Sequence, residues 1–247
     1  MKIAVAGATG RAGRHVVDLL EARGHDVVPM ARSTGVDVIT GAGLAEALAG
    51  AECVVDLATG PTPDEAQATE FFTTAARNLQ ETGRAAGVRR IVVVSIVGID
   101  RFTSGYNAAK VAQERAHLQG PIPVRILRAT QFHEFVAQLV DWGRQGDVAY
   151  VPKMRTQLVA ARTVAEAVAD LAVDPDAAPG PVLEIAGPRE ESMVEAASLL
   201  VAKRGDPVRI EGVRWDELYE AGAALPGPDA TLAGPTFEEW LDGVAVR

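Results

Sequence analysis

Little in this chain of 247 residues is available for covalent or metal cross-links. Its single cysteine, Cys53, leaves no internal disulfide to form, and a reducing, cytoplasmic setting fits that usage. Cys53 opens an apolar run and reads as a buried core thiol rather than a nucleophile. The histidines, His15, His25, His117 and His133, are scattered without ligand spacing on a common element, which argues against a metal site. His133 reads as a helix-start residue, with a substrate contact as the alternative. No apolar run is long enough to span a bilayer, and the first residues enter an apolar strand directly, leaving no room for a signal peptide. Positive charge is short: 24 Lys and Arg face 33 Asp and Glu, for a net charge of −9 with no basic block. A nucleic-acid partner is therefore not expected. Aromatic side chains are sparse. Trp142, Trp215 and Trp240, with Tyr150 and Tyr219, read as packing residues or as the lining of a pocket for a flat substrate. Repeats and low-complexity linkers are absent. The length suffices for a full core, in one large domain or one domain with a small appendage.

What is present is organised around residues 3–13. A short apolar run (Ile3-Ala4-Val5-Ala6) stops at Gly7, and a helical pattern starts near Arg11 and continues through Val16, Val17, Leu19 and Leu20. Between them lies G-x-x-G-x-x-G, formed by Gly7, Gly10 and Gly13. Such a turn lets backbone approach a ligand, and the helix behind it aims its free amides and positive dipole end at the same point. Strand, turn and helix together predict a dinucleotide pyrophosphate here.

Further along, Asp26–Arg32 reads as a second strand, Val36–Ile39 as a short third one, and Leu44, Ala45, Ala47 and Leu48 as a short helix ending at Gly50. Cys53–Ala58 reads as a strand and Asp64–Ala86 as a long helix capped by Gly87. Arg90–Ser95 is a near-continuous β-branched strand suited to the middle of a parallel sheet. Ser104–Leu118 reads as a helix and Val124–Arg128 as a strand. This alternation predicts an α/β, doubly wound parallel sheet of the Rossmann type, with residues 1–130 as the dinucleotide-binding core. Residues 131–247 are expected to complete the sheet and to cap the substrate end, with Val159–Leu171 and Met193–Lys203 helical and Val182–Ala186 a strand.

Cofactor preference is set after the second strand, where an acidic residue suits NAD and an arginine the 2′-phosphate of NADP. Here Ala31-Arg32-Ser33 supplies no carboxylate. Arg11 reaches the same side of the adenosine, and two guanidiniums with a hydroxyl suit a dianionic phosphate. NADP(H) is the expected cofactor. For catalysis, Ser95 ends a strand at the ligand-facing edge, and Tyr106 and Lys110, four apart on a helix, share one face. A phenol is a weak acid at neutral pH, and a nearby ammonium favours its ionisation. Lys110 is also placed to bond the nicotinamide ribose, and Ser95 to hold a substrate carbonyl oxygen while Tyr106 exchanges its proton.

Gly7/Gly10/Gly13, Ser95 and the Tyr106/Lys110 pair together resemble a short-chain dehydrogenase/reductase. More narrowly, the chain resembles the atypical, NmrA-like branch through its G-A-T-G-x-x-G opening, the run Asn78–Ser95, S-I-V-G-I-D at 95–100 and R-A-T-Q-F-H at 128–133. The resemblance implies NADP(H) binding and hydride transfer to or from a carbonyl or quinone. It places Thr9, Gly10, Arg11, Ala12 and Gly13 on the pyrophosphate, and Ala58, Thr59 and Gly60 near the nicotinamide half. Arg128–Phe132 would flank the nicotinamide and substrate. Asn78 reads as a helix residue bonded to backbone. The branch also contains NADP-binding redox sensors without turnover, and related folds include quinol-modifying oxygenases of aromatic polyketide tailoring. The expected partner is a small aromatic or carbonyl substrate, with the chain as a monomer or homodimer.

Overall fold

The computed structural model describes residues 1–60, 62–174 and 180–243. The chain forms two compact units, residues 1–128 with 164–183, and residues 129–163 with 184–247. In order the elements are β1 (Lys2–Ala6), α1 (Arg11–Ala22), β2 (Asp26–Met30), α2 (Leu44–Leu48), β3 (Cys53–Asp56), α3 (Glu65–Ala86), β4 (Arg90–Ile96), α4 (Gly105–Leu118) and β5 (Val124–Ala129). There follow α5 (His133–Gly143), β6 (Arg144–Gln145), β7 (Val148–Pro152), β8 (Arg155–Thr156), α6 (Ala161–Val173) and β9 (Val182–Ala186). The chain closes with β10 (Glu191–Ser192), α7 (Met193–Arg204), β11 (Arg209–Val213), α8 (Glu217–Glu220), β12 (Thr231–Leu232) and α9 (Phe237–Gly243).

A seven-stranded parallel sheet runs β12-β9-β5-β4-β3-β1-β2, the doubly wound α/β arrangement expected from the alternation. The middles of its central strands are apolar: Cys53-Val54-Val55 and Ile91-Val92-Val93 are fully buried, as strands covered on both faces must be. Register places Ala6 opposite both Met30 and Asp56, and Asp56 opposite Val93. The loops after β1, β2, β3 and β4 therefore leave from one edge. The core of the first unit joins Ala4, Met30, Leu48, Val54, Leu79, Ile91 and Ile126. The second unit has its own core, built on Val140, Val151, Met193, Leu200 and Phe237, and a three-stranded sheet in the order β11-β7-β6.

Helix α3 is bounded as its sequence predicts. Asp64 accepts the Gln67 N–H at 3.0 Å, and Gly87 ends the helix in the left-handed region at φ 84°. The strand expected at Val36–Ile39 is corrected to a loop. The Asp37 carboxylate takes the N–H groups of Ile39 and Thr40 at 2.8 and 3.3 Å, a local bond that competes with a sheet ladder. Asn78 then donates to the carbonyls of Val38 and Ile39 at 2.8 and 2.9 Å, the backbone role its helix position suggested. Cys53 is fully buried with its thiol pushed up to about 12 by that burial, against the nearby Arg90, and is an inert core residue.

Candidate cofactor and active site

The glycine turn is shaped by close backbone packing. Gly7 sits at φ 75°, and a Cβ there would lie 2.6 Å from the Leu57 carbonyl oxygen. A Cβ on Gly13 would lie 2.0 Å from the Gly7 carbonyl oxygen, so α1 packs against the turn at a distance only glycine allows. The turn is held by Gly7 N–H to Met30 O at 3.1 Å and Gly10 N–H to Gly7 O at 2.9 Å. The first intrahelical bond of α1 is Arg14 N–H to Gly10 O, which leaves the amides of Arg11, Ala12 and Gly13 without acceptors one turn back. Gly10 occupies the cap position with no side-chain cap, and the first turn carries no acidic residue. These features fit a pyrophosphate.

The loop after β2 is fixed by one hydroxyl. Thr34 Oγ1 accepts the Ala31 N–H and stands 2.9 Å from the carbonyls of Pro29 and Ala31. Arg32 and Ser33 project from this turn and are exposed, as is Arg11, and neither arginine forms an ion pair among the described residues. After β3, Ala58 is buried and donates its N–H to Asp56 Oδ1 at 3.0 Å, while Thr59 is exposed and Gly60 partly so. Thr9 is exposed in the glycine turn.

Tyr106 and Lys110 meet on a residue that sequence reasoning missed. The Phe72 ring of α3 lies edge-on to Tyr106 at 5.6 Å and under the Lys110 ammonium at 4.7 Å. Lys110 Nζ donates to the carbonyl of Val94 at 2.9 Å and to Gln113 Oε1. The adjacent Ser95 is 2% exposed, and its hydroxyl has no partner among the described residues. A buried hydroxyl left unpaired is costly and uncommon, and it suits a group that waits for a ligand oxygen. No hydrogen bond joins Ser95, Tyr106 and Lys110 to one another among the described residues.

The electrostatics correct one expectation. Burial pushes the Tyr106 phenol up to about 12, so the phenol is not drawn toward neutrality by Lys110, whose ammonium is committed to Val94 O and Gln113. Burial also pushes Lys110 down to about 8, against the pull of Asp56 and Glu114.

Below Lys110 lies a second group that was not anticipated. Asp56 and His117 are fully buried and Gln113 is 1% exposed. Asp56 Oδ2 accepts from Gln113 Nε2 and meets His117 Nε2, each at 3.0 Å. Burial alone would raise the Asp56 carboxyl. The His117 bond and charge, the Ala58 N–H and Lys110 outweigh it and hold the group below the usual range. Two signals pointed here: residues 106, 110, 113 and 117 share a helix face, and Asp56 is the one polar residue of the apolar strand β3.

Arg128 and His133 are both held by protein groups. The Arg128 guanidinium forks onto Glu114, with Nε–Oε1 at 3.0 Å and Nη2–Oε2 at 2.8 Å, and reaches Asp100 at 3.3 Å. His133 begins α5 and is 1% exposed. Its Nε2 lies 3.1 Å from Pro235 O and its ring packs on Phe237 and Trp240.

A family model described as NAD(P)H-binding matches residues 7–175, about two thirds of the chain, including the glycine turn, Ser95, Tyr106 and Lys110. The chain belongs to this NAD(P)H-binding family. No curated protein matches it. Among solved structures it is similar to a dTDP-4-dehydrorhamnose reductase from Bacillus anthracis in complex with NADP, at 15% identity over 98% of this chain and 97% of that one, with a TM-score of 0.73. It is also similar to MoeE5 in complex with UDP-glucose and NAD, at 20% identity over 98% and 96%, TM-score 0.72. A third is a short-chain dehydrogenase/reductase superfamily protein from Agrobacterium tumefaciens with bound NAD, at 19% identity over 98% and 90%, TM-score 0.65. At these identities the likenesses establish a shared fold. Both dinucleotides occur among them; the family model itself gives NAD(P)H binding and does not choose between the two. Among the described residues no helix is long and apolar enough to cross a membrane, and no group of three or more His, Cys, Asp or Glu is placed to hold a metal.

Proposed function

We propose that this protein is an NADPH-dependent reductase of a small carbonyl or quinone-type compound. Arg11, Arg32 and Ser33 would hold the 2′-phosphate, and the amides of residues 11–13 the pyrophosphate. The reading is carried by one observation: an unpaired, buried Ser95 hydroxyl at the sheet edge that also carries the glycine turn, with Tyr106 and Lys110 set on Phe72 nearby. When bound, the nicotinamide would supply hydride to the substrate carbon. Ser95 donates a hydrogen bond to the substrate oxygen, and Tyr106 gives that oxygen its proton. A phenol held near 12 is fully protonated at neutral pH, which is the form reduction requires. Lys110 orients the ribose.

A redox sensor that binds NADPH without turnover is the second reading. It draws support from the Lys110 ammonium, which is turned to Val94 O and Gln113 rather than to the phenol. One assay separates them: NADPH oxidation against quinones, polycyclic aromatic ketones and aldehydes, for wild type and Tyr106→Phe, with dissolved oxygen recorded. The reductase predicts turnover that falls about a hundredfold or more in the variant. Tight NADPH binding without turnover on any compound supports the sensor. Oxygen uptake, or turnover indifferent to Tyr106, refutes this mechanism and favours a quinol oxygenase.

A further inference from the structure

Two ions of opposite sign, Asp56 and Lys110, are buried in the first unit with an amide between them, and the chemistry of the pair fixes how that amide must stand. A carboxylate only accepts hydrogen bonds and an ammonium only donates them. Gln113 therefore has one orientation that serves both, with Nε2 on Asp56 Oδ2 at 3.0 Å and Oε1 on Lys110 Nζ. Asp56 is itself held by the Ala58 N–H at 3.0 Å and by His117 Nε2 at 3.0 Å, so the chain of contacts starts from a fixed point at the end of β3. Lys110 has three N–H groups. Val94 O and Gln113 Oε1 take two, and the Phe72 face, 4.7 Å away, is the weak acceptor left to the third. A buried ammonium with two strong acceptors and one weak one keeps a single direction for a further acceptor.

We propose that Asp56 and Gln113 are positioning residues for Lys110, forming a buried carboxylate–amide relay that keeps its ammonium charged and free to donate one hydrogen bond to the cofactor ribose. The inference rests on the assignment of Lys110 to the cofactor in the proposed function. The groups facing the ammonium are Asp56 on β3, the Val94 carbonyl beside Ser95 on β4, and Phe72 on α3. On α4 they are Gln113 and Glu114, with Glu114 already engaged by Arg128 of β5, while Tyr106 packs on the same Phe72 ring and His117 on the far side of Asp56. Asp56 and Glu114 alone bring negative charge, and with Glu114 committed to an arginine, Asp56 is the counter-charge that the relay transmits.

The chain has only four lysines, Lys2, Lys110, Lys153 and Lys203, so each can be titrated by NMR in full-length protein labelled at lysine, with Lys110→Arg identifying the Lys110 signal. Wild type is expected to show Lys110 titrating near 8, below the usual lysine range. Gln113→Met keeps the volume and removes the acceptor. It should move the Lys110 midpoint down by about one unit and weaken NADPH binding about threefold at pH 7.5, with affinity recovering toward wild type at pH 6 as the ammonium reprotonates. Should Gln113→Met not fold, Asp56→Asn tests the same relay and should shift Lys110 in the same direction. An unmoved Lys110 midpoint, or a loss of affinity that is the same at pH 6 and 7.5, overturns the relay. So does wild-type NADPH affinity in Lys110→Met. If wild type reduces no substrate, the reductase reading fails, while NADPH affinity and the lysine titration still decide the relay.

Discussion

Replacing the glycines of the first turn one at a time separates packing from ligand contact. At Gly13 an added Cβ would stand 2.0 Å from the Gly7 carbonyl oxygen, with the Gly7 carbonyl carbon at 2.8 Å and Ala8 Cα at 3.0 Å, all of them backbone. That falls roughly 1.3 Å short of an ordinary carbon–oxygen approach of about 3.3 Å, so α1 must move off the turn. Overpacking of this kind costs about 1–3 kcal/mol, and in a chain of this size Gly13→Ala should lower Tm by about 3–10 °C. At Gly10 the backbone stands at φ −74° and ψ 178°, which alanine adopts freely, and the nearest atom to a new Cβ is the Gly7 oxygen at 3.1 Å. Losing glycine at the cap position costs about half a kcal/mol, so Gly10→Ala should keep its Tm within about 2 °C. Its methyl would nevertheless occupy the approach to the free amides of residues 11–13, and NADPH affinity should fall about tenfold or more. Thermal melts and fluorescence titration with NADPH read the two effects. Wild-type affinity in Gly10→Ala would refute the placement of the pyrophosphate on this turn. An unchanged Tm in Gly13→Ala would refute the packing argument.

Three further outcomes follow from particular contacts. Arg11→Ala and Arg32→Ala should each weaken NADPH about tenfold, as loss of a charge-assisted contact does, and leave NADH within about twofold; equal losses for both cofactors would rule out 2′-phosphate recognition. Burial pushes His133 down to about 4, opposed by its bond to Pro235. The folded state keeps this imidazole neutral while the unfolded chain takes up a proton below about 6.5, so stability is intact above that pH and is lost as pH falls toward 4. At pH 4.5 the loss amounts to about 2–3 kcal/mol, and in His133→Phe that share of the acid dependence should vanish from urea unfolding at pH 7 and 4.5. Asn78→Leu removes the donor to Val38 O and Ile39 O and should cost about 1–2 kcal/mol in the same unfolding experiment; a neutral result would mean that water replaces the amide at no cost.

Sequence alone determined the elements whose signals are local. The glycine turn, the Asp64 and Gly87 ends of α3 and the apolar strands of the parallel sheet follow from backbone conformation, capping and side-chain period, which neighbours in the chain set. The facing of Tyr106 and Lys110 on α4 is equally local, a matter of helical spacing. Tertiary structure alone decided what those side chains meet. Val36–Ile39 carries a strand pattern, yet forms a loop in which the Asp37 carboxylate takes the amides of Ile39 and Thr40 and Asn78, some 40 residues away in sequence, takes the carbonyls of Val38 and Ile39. Phe72 reads as one more apolar helix position until α3 packs on α4 and brings its ring to both Tyr106 and Lys110. The tuning expected between phenol and ammonium gave way to burial, which raises the phenol and lowers the ammonium. Burial is a property of the packed molecule and has no signature in the spacing of four residues. Asp56 shows the limit most clearly. A carboxylate ending an apolar strand is visible in the sequence, but its bonds to residues 113 and 117 arise only when β3 and α4 are packed together.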